Sequence, residues 1–266
     1  MKPIKAALAG LAILNIFASG TRAAITTIYQ HNFSGPGGEN LNGRQFDSAT
    51  GTHGSTLGAT WLANERFKAD GSTVSAIGSS SAYVPFSPLD GYIYTISMDM
   101  AVTGYTGNSR TVMSLLSTAG SPNVISDFTT ANNYATIGRR ASSYTDAGES
   151  LNYLTWGGAG TANASHSHES FSGSWNLSIV LNTSVPGAWT YQLLGTSISG
   201  LNESSAIFTL PSAVSLGHIM INNHHEMAAA LDNFTVTVEA VPEPRIPLLS
   251  SLFLGAVLLS RQRRFR

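Results

Sequence analysis

From Tyr92 to Val102 the chain alternates: Tyr92, Tyr94, Ile96, Met98, Met100 and Val102 share one face, and Thr95, Ser97 and Asp99 the other. A period of two marks a strand with one buried side, because successive side chains point to opposite faces of a sheet. Trp175, Leu177, Ile179 and Leu181 alternate in the same way with Asn176, Ser178 and Val180. Trp189, Tyr191 and Leu193 resume the pattern after Ser184-Val185-Pro186-Gly187, so these two segments predict a hairpin. Phe234, Val236 and Val238, set between Asn233, Thr235 and Thr237, predict the strand that closes the domain. Weaker strand patterns lie at 25–33, 67–69, 82–86, 112–116, 135–139, 151–155, 206–210 and 218–222. No long stretch has helical periodicity. The segment from His225 to Leu231 has residues for a turn of helix, but its place before the last strand predicts a loop. Short strands separated by Gly, Ser, Asn and Pro predict an all-β protein, one large antiparallel sandwich of the jelly-roll kind.

Charge divides the 266 residues into three parts. Residues 25–240 hold six basic and fourteen acidic residues, a net of −8, while both ends are basic. An acidic body excludes nucleic acid as a partner, since that needs clustered Lys and Arg. The absence of cysteine excludes disulfides and thiolate metal sites.

The first end has Lys2 and Lys5, then an apolar run over 6–18 broken only by Asn15, then Thr21-Arg22-Ala23. This is the layout of a secretory signal peptide over residues 1–23, cleaved after Ala23. The domain then occupies 24–240. At the other end, Val241-Pro242-Glu243-Pro244 stops the strand pattern, because proline cannot donate to a ladder. An apolar segment follows at 246–259, then Arg261, Arg263, Arg264 and Arg266. Its length as a helix is about 21 Å, short of a ~30 Å hydrocarbon core, a mismatch that snorkelling arginines and local thinning absorb. The positive-inside rule keeps the basic tail cytoplasmic, which places the domain outside the inner membrane.

Pro-Glu-Pro, an apolar stretch and an Arg-rich end, in that order after a signal peptide, resemble the PEP-CTERM sorting signal. The resemblance covers 241–266, with Pro247 as a departure inside the apolar stretch. It implies a Gram-negative host that makes exopolysaccharide. It also implies processing near Pro242-Glu243-Pro244 by an exosortase-type enzyme, with passage through the inner membrane to the cell surface or extracellular space. A second, more diffuse resemblance is to the concanavalin-like and laminin-G-like jelly rolls. It is carried by Phe46-Asp47, Gly58-Ala59-Thr60-Trp61, Gly91 to Val102, Trp175 to Leu193 and Leu231 to Thr237. This implies a fold, and a fold does not carry a function with it.

Retaining glycan hydrolases of that group pair two carboxylates about 5 Å apart on one strand. The best strand here offers Asp99 alone, no Glu-x-Asp-x-x-Glu run exists, and Gly-x-Ser-x-Gly is absent, so the sequence predicts no enzyme. The imidazole clusters, His166-x-His168-Glu169 and His224-His225-Glu226, sit in Ser/Asn-rich surroundings and read as solvated surface. Asp232, at the opening of the last strand, has two readings. The jelly-roll resemblance implies structural calcium there, shared with Asn32, Glu39 or carbonyl oxygens, whereas the residue type by itself suits a turn cap. Trp61 and Trp156, in Gly-rich or irregular segments, are the candidates for stacking on sugar rings, while Trp175 and Trp189 share faces with aliphatics and read as core. Together these features predict an exported, non-enzymatic surface or matrix protein that is structural or binds polysaccharide. The rival readings are a secreted glycan-degrading enzyme with carboxylates drawn from distant segments and an adhesin for protein partners.

Overall fold

The computed structural model describes residues 23–241 apart from 72, 78, 105–109, 120–132, 143–150, 159–160, 168–173, 213 and 225–227. Residues Ala24–Val241 form one compact unit, and its described residues hold strands and turns without a helix.

Among the described residues seventeen strands succeed one another. The first six are β1 (Ile25–His31), β2 (Ser48–Ala49), β3 (Leu62–Ala63), β4 (Phe67–Asp70), β5 (Thr73–Ile77) and β6 (Ser80–Pro85). Then come β7 (Tyr92–Gly104), β8 (Arg110–Leu116), β9 (Asn133–Ser142), β10 (Leu151–Gly158), β11 (Thr161–Ser167) and β12 (Ser174–Asn182). The last five are β13 (Thr190–Ser197), β14 (Asn202–Ser204), β15 (Phe208–Thr209), β16 (His218–His224) and β17 (Ala228–Ala240). They build two antiparallel sheets. The first runs β14-β13-β12-β7-β17-β1-β2, with β15 beside β13 and β4–β5 added against β17. The second runs β11-β10-β9-β8-β16-β6-β3. The protein is thus an all-β jelly-roll sandwich, and its first and last strands lie side by side in one sheet.

The alternation read from the sequence dictates what fills the space between the sheets. Tyr94, Ile96, Met98, Met100, Leu177, Ile179, Leu181 and Leu193 project from the first sheet and have no solvent exposure. Ala82, Val84, Met113, Leu115, Ala135, Ile137, Ile219 and Ile221 meet them from the second, in one continuous cluster. Truncating a large aliphatic here leaves a cavity and costs about 2–5 kcal/mol.

The closing strand differs from the expectation. β17 begins at Ala228, inside the segment expected to be a loop, and Ala228–Leu231 pairs with β5 on one side and β7 on the other. The reason is a change of phase. Ala229 and Leu231 face inward, then the pairing with β7 shifts between Asp232 and Thr235, and Phe234, Val236 and Val238 face inward. A bulge inserts an extra residue in this way, and Asn233 at the insertion takes the left-handed backbone (φ 51°). Period-two reading cannot cross that slip. Two-sided packing hides the second sheet in a related manner. β6 (SSAYVP) and β8 (RTVMSLL) are buried almost throughout, so neither alternates. Their other face carries Tyr83 and Leu116, which form a small separate cluster with Met220 of β16.

Candidate functional site

At one end of the sandwich β7 begins, β12 ends and β13 begins. The turn from β12 to β13 is built by its own polar groups: Asn182 Oδ1 accepts from Ser184 N at 2.9 Å, and Val185 O accepts from Ala188 N at 3.0 Å. Gly187 supplies the left-handed backbone (φ 72°). Buried Thr183 ties this turn to the segment that enters β7. Its N–H donates to Tyr92 O (2.8 Å), its carbonyl accepts from Gly91 N (2.9 Å), and its hydroxyl donates to Leu89 O (2.6 Å). Two loops distant in sequence are thereby held in register, which sets Trp189 beside Asp90.

The Trp189 indole N–H donates to Asp90 Oδ1 at 2.7 Å. The ring is half-buried, packed on the edge of the core on one side, and Leu210 N donates to Trp189 O at 2.8 Å. A cavity of about 140 Å³ opens there, between Asp90, Gly187 and Trp189 on one side and Leu210, Pro211, Ser212 and Val214 on the other. An aromatic face, aliphatic walls and a few convergent polar atoms are what a small polar ring needs: C–H surfaces pack and hydroxyls bond. Trp189 lies on the inward face of its strand pattern, as the sequence suggests. It sits one residue before β13, however, where the core no longer covers it.

Trp61 has the opposite fate. Only 1% of it is exposed, which overturns its reading as a sugar platform. It stacks on Phe46 (centroids 4.9 Å apart) and is walled by Phe234 at 5.1 Å, Phe33 at 5.8 Å and His31 at 6.0 Å. The Gly-rich segment that carries it folds back onto β1 and β17, and neither ring face remains for a ligand. His31, buried in the same cluster, accepts from Phe33 N at Nδ1 (3.1 Å). Burial pushes its imidazole down to about 4; the Asp47 carboxylate opposes that shift and Arg44 adds to it.

On the outward face of the first sheet the register sets Asp99 of β7 directly opposite Asp232 of β17. Asp99 accepts from Asn176 Nδ2 at 2.9 Å with one oxygen and from Asn233 Nδ2 at 2.8 Å with the other. Asp232 Oδ1 accepts from Asn233 N at 2.7 Å, so it caps the bulge. Burial raises the Asp232 carboxyl above its ordinary range, the Asn233 N–H works against that, and the Asp99 charge adds to the rise. Asp99 and Asp232 are far apart in sequence, and only the pairing of β7 with β17 brings them together. The other oxygens considered for calcium are engaged locally. Asn32 Oδ1 accepts from Ser34 N and Oγ, and Glu39 lies 3.8 Å from Arg44. Among the described residues no three His, Asp or Glu side chains converge as a metal site would require.

Trp156 lies in β10, opposite Ile137 and Ala164, and its side chain is outside the described residues. His166 lies in β11 opposite Leu154. His168, Glu169, His225 and Glu226 fall outside the described residues. So do residues 1–22 of the expected signal peptide, the Pro242-Glu243-Pro244 motif, the apolar segment and Arg261, Arg263, Arg264 and Arg266.

No family model matches the chain, and no curated protein matches it significantly. Among solved structures it is similar to peanut lectin bound to a nine-residue peptide, at 8% identity over 83% of this chain and all of that one, with a TM-score of 0.45. Lectin II from Ulex europaeus is 5% identical over 70% of this chain and 94% of the lectin (TM-score 0.46). Alginate lyase Aly36B is 12% identical over 79% of this chain and 97% of the lyase (TM-score 0.46).

Proposed function

We propose that the protein is an exported, non-enzymatic component of the cell surface or extracellular matrix that binds polysaccharide. The observation that carries the binding reading is the half-buried Trp189, held by Asp90 beside a cavity of about 140 Å³. An indole fixed by its own N–H keeps its orientation without a ligand, which lowers the ordering cost of binding. Export rests on the sequence: a signal peptide removed after Ala23, then sorting by an exosortase-type enzyme at Pro242-Glu243-Pro244, with the segment 246–259 and the Arg261–Arg266 tail holding the chain in the inner membrane beforehand. The test uses the mature protein recovered from its host. Its intact mass is expected to run from Ala24 to near Pro244. Its migration in gels containing soluble polysaccharide is expected to be retarded, and Trp189→Ala to abolish the retardation. A mass retaining Arg266 overturns the sorting, and migration unchanged in every polysaccharide overturns the binding.

The rival reading, a secreted glycan-degrading enzyme, draws on Asp99 and Asp232. A carboxyl raised in pKa beside a second carboxylate is the pattern of acid–base catalysis on glycans. Binding is preferred because both Asp99 oxygens are occupied by amides and Asp232 serves the bulge. New reducing ends that disappear with Asp232→Asn would reverse that preference.

A further inference from the structure

We infer that the Trp189–Asp90 cavity takes a pyranose bearing a free ammonium group, so that the polysaccharide recognised contains an amino sugar. This rests on the polysaccharide-binding reading and specifies its ligand. Among the described residues that line the cavity, Asp90 alone is charged. Its Oδ1 is committed to the Trp189 N–H, which turns the carboxylate in a set direction and leaves Oδ2 as an acceptor. An ammonium answers this arrangement twice: it forms a charge-assisted bond to the carboxylate and is attracted by the face of the neighbouring indole. The ring's C–H surface then packs on Trp189 and Pro211. Uronate or sulfate sugars meet a carboxylate here, inside a body whose residues 25–240 carry a net charge of −8, and are repelled.

The test is calorimetric titration of the mature protein at pH 6 with four probes: a glucosamine oligomer with free amines, its N-acetylated form, a uronate oligomer and a lysine peptide. The free-amine oligomer is expected to bind at least tenfold more tightly than the N-acetylated one. Asp90→Asn, whose amide oxygen can still accept from Trp189, is expected to erase that ratio, and Trp189→Ala to weaken both sugars. Equal affinity for the two oligomers, or a ratio that survives Asp90→Asn, overturns the ammonium inference while leaving polysaccharide binding in place. So does tighter binding of the uronate oligomer. Lysine peptide bound as tightly as the free-amine oligomer overturns the sugar assignment. Absence of binding to all three oligosaccharides sinks this inference, and the reading beneath it falls only if migration is also unchanged in every polysaccharide gel.

Discussion

Trp61 and Trp189 make an instructive pair. Each stands just before a strand, β3 and β13, and each follows a glycine-bearing turn. Trp61 is 1% exposed and enclosed by His31, Phe33, Phe46 and Phe234, whereas Trp189 is half-buried, bonded to a carboxylate and open to a cavity. Their sequence surroundings suggest the reverse assignment, with Trp61 the ligand platform and Trp189 the core residue. Residue type and strand phase say which way a side chain points. They do not say whether anything lies over it. The β1–β17 region is roofed by the returning segment 32–64, whereas Trp189 at the β12–β13 end borders a cavity.

The contrast breaks most visibly at the sealed site. Trp61→Ala is expected to destabilise the fold by about 3–5 kcal/mol, as large aromatics do when removed from a core, measured by urea unfolding. A cost below about 1 kcal/mol would mean that the cluster is not the packed unit described here. The same region predicts a pH dependence. His31 protonates near 4 when folded and near 6.5 when unfolded, so the unfolded chain binds the extra proton between those values. Stability from this group is complete above about pH 6.5 and falls by up to about 3 kcal/mol as pH drops toward 4. Because carboxylates titrate nearby, the informative quantity is the difference in slope between the wild type and His31→Gln, in which this contribution should vanish.

At the open site the balance reverses. Trp189→Ala is expected to cost at least tenfold in polysaccharide affinity, about 1.4 kcal/mol, with a smaller stability loss than Trp61→Ala. If it unfolds the protein as Trp61→Ala does, the two tryptophans are alike and the comparison collapses. The smallest effect belongs to the acid pair. Asp232 is raised in pKa, so its ionised form is disfavoured in the fold and its contribution is lost as pH rises through that value. Asp232→Asn keeps the oxygen that accepts from Asn233 N, and it should stabilise the protein at pH 7 by about 0.5 kcal/mol, with no gain in acid. Thermal melts at the two pH values decide it.

The strands with one dry and one wet face were legible from the chain: β7, β12, β13 and the second half of β17 follow their side-chain alternation. Those that were faint have identifiable causes. β6 and β8 are buried on both sides and so carry no alternation. The first half of β17 is out of phase with the second because of Asn233, and its alanines are weak strand formers held in place by β5 and β7. The short strands β2, β3 and β14 have two or three residues each, too few for a period to register.

What the sequence by itself determined is whatever depends on neighbours along the chain: strand phase, the hairpin at Gly187, the all-β class, and the acidic balance of residues 25–240. What only the tertiary structure decided depends on segments far apart in sequence. Asp90 reaches Trp189 across 99 residues, and Asn233 reaches Asp99 across 134. Those contacts follow from how strands pair across the sheet, and that pairing is settled by burial of the whole core rather than by local preference.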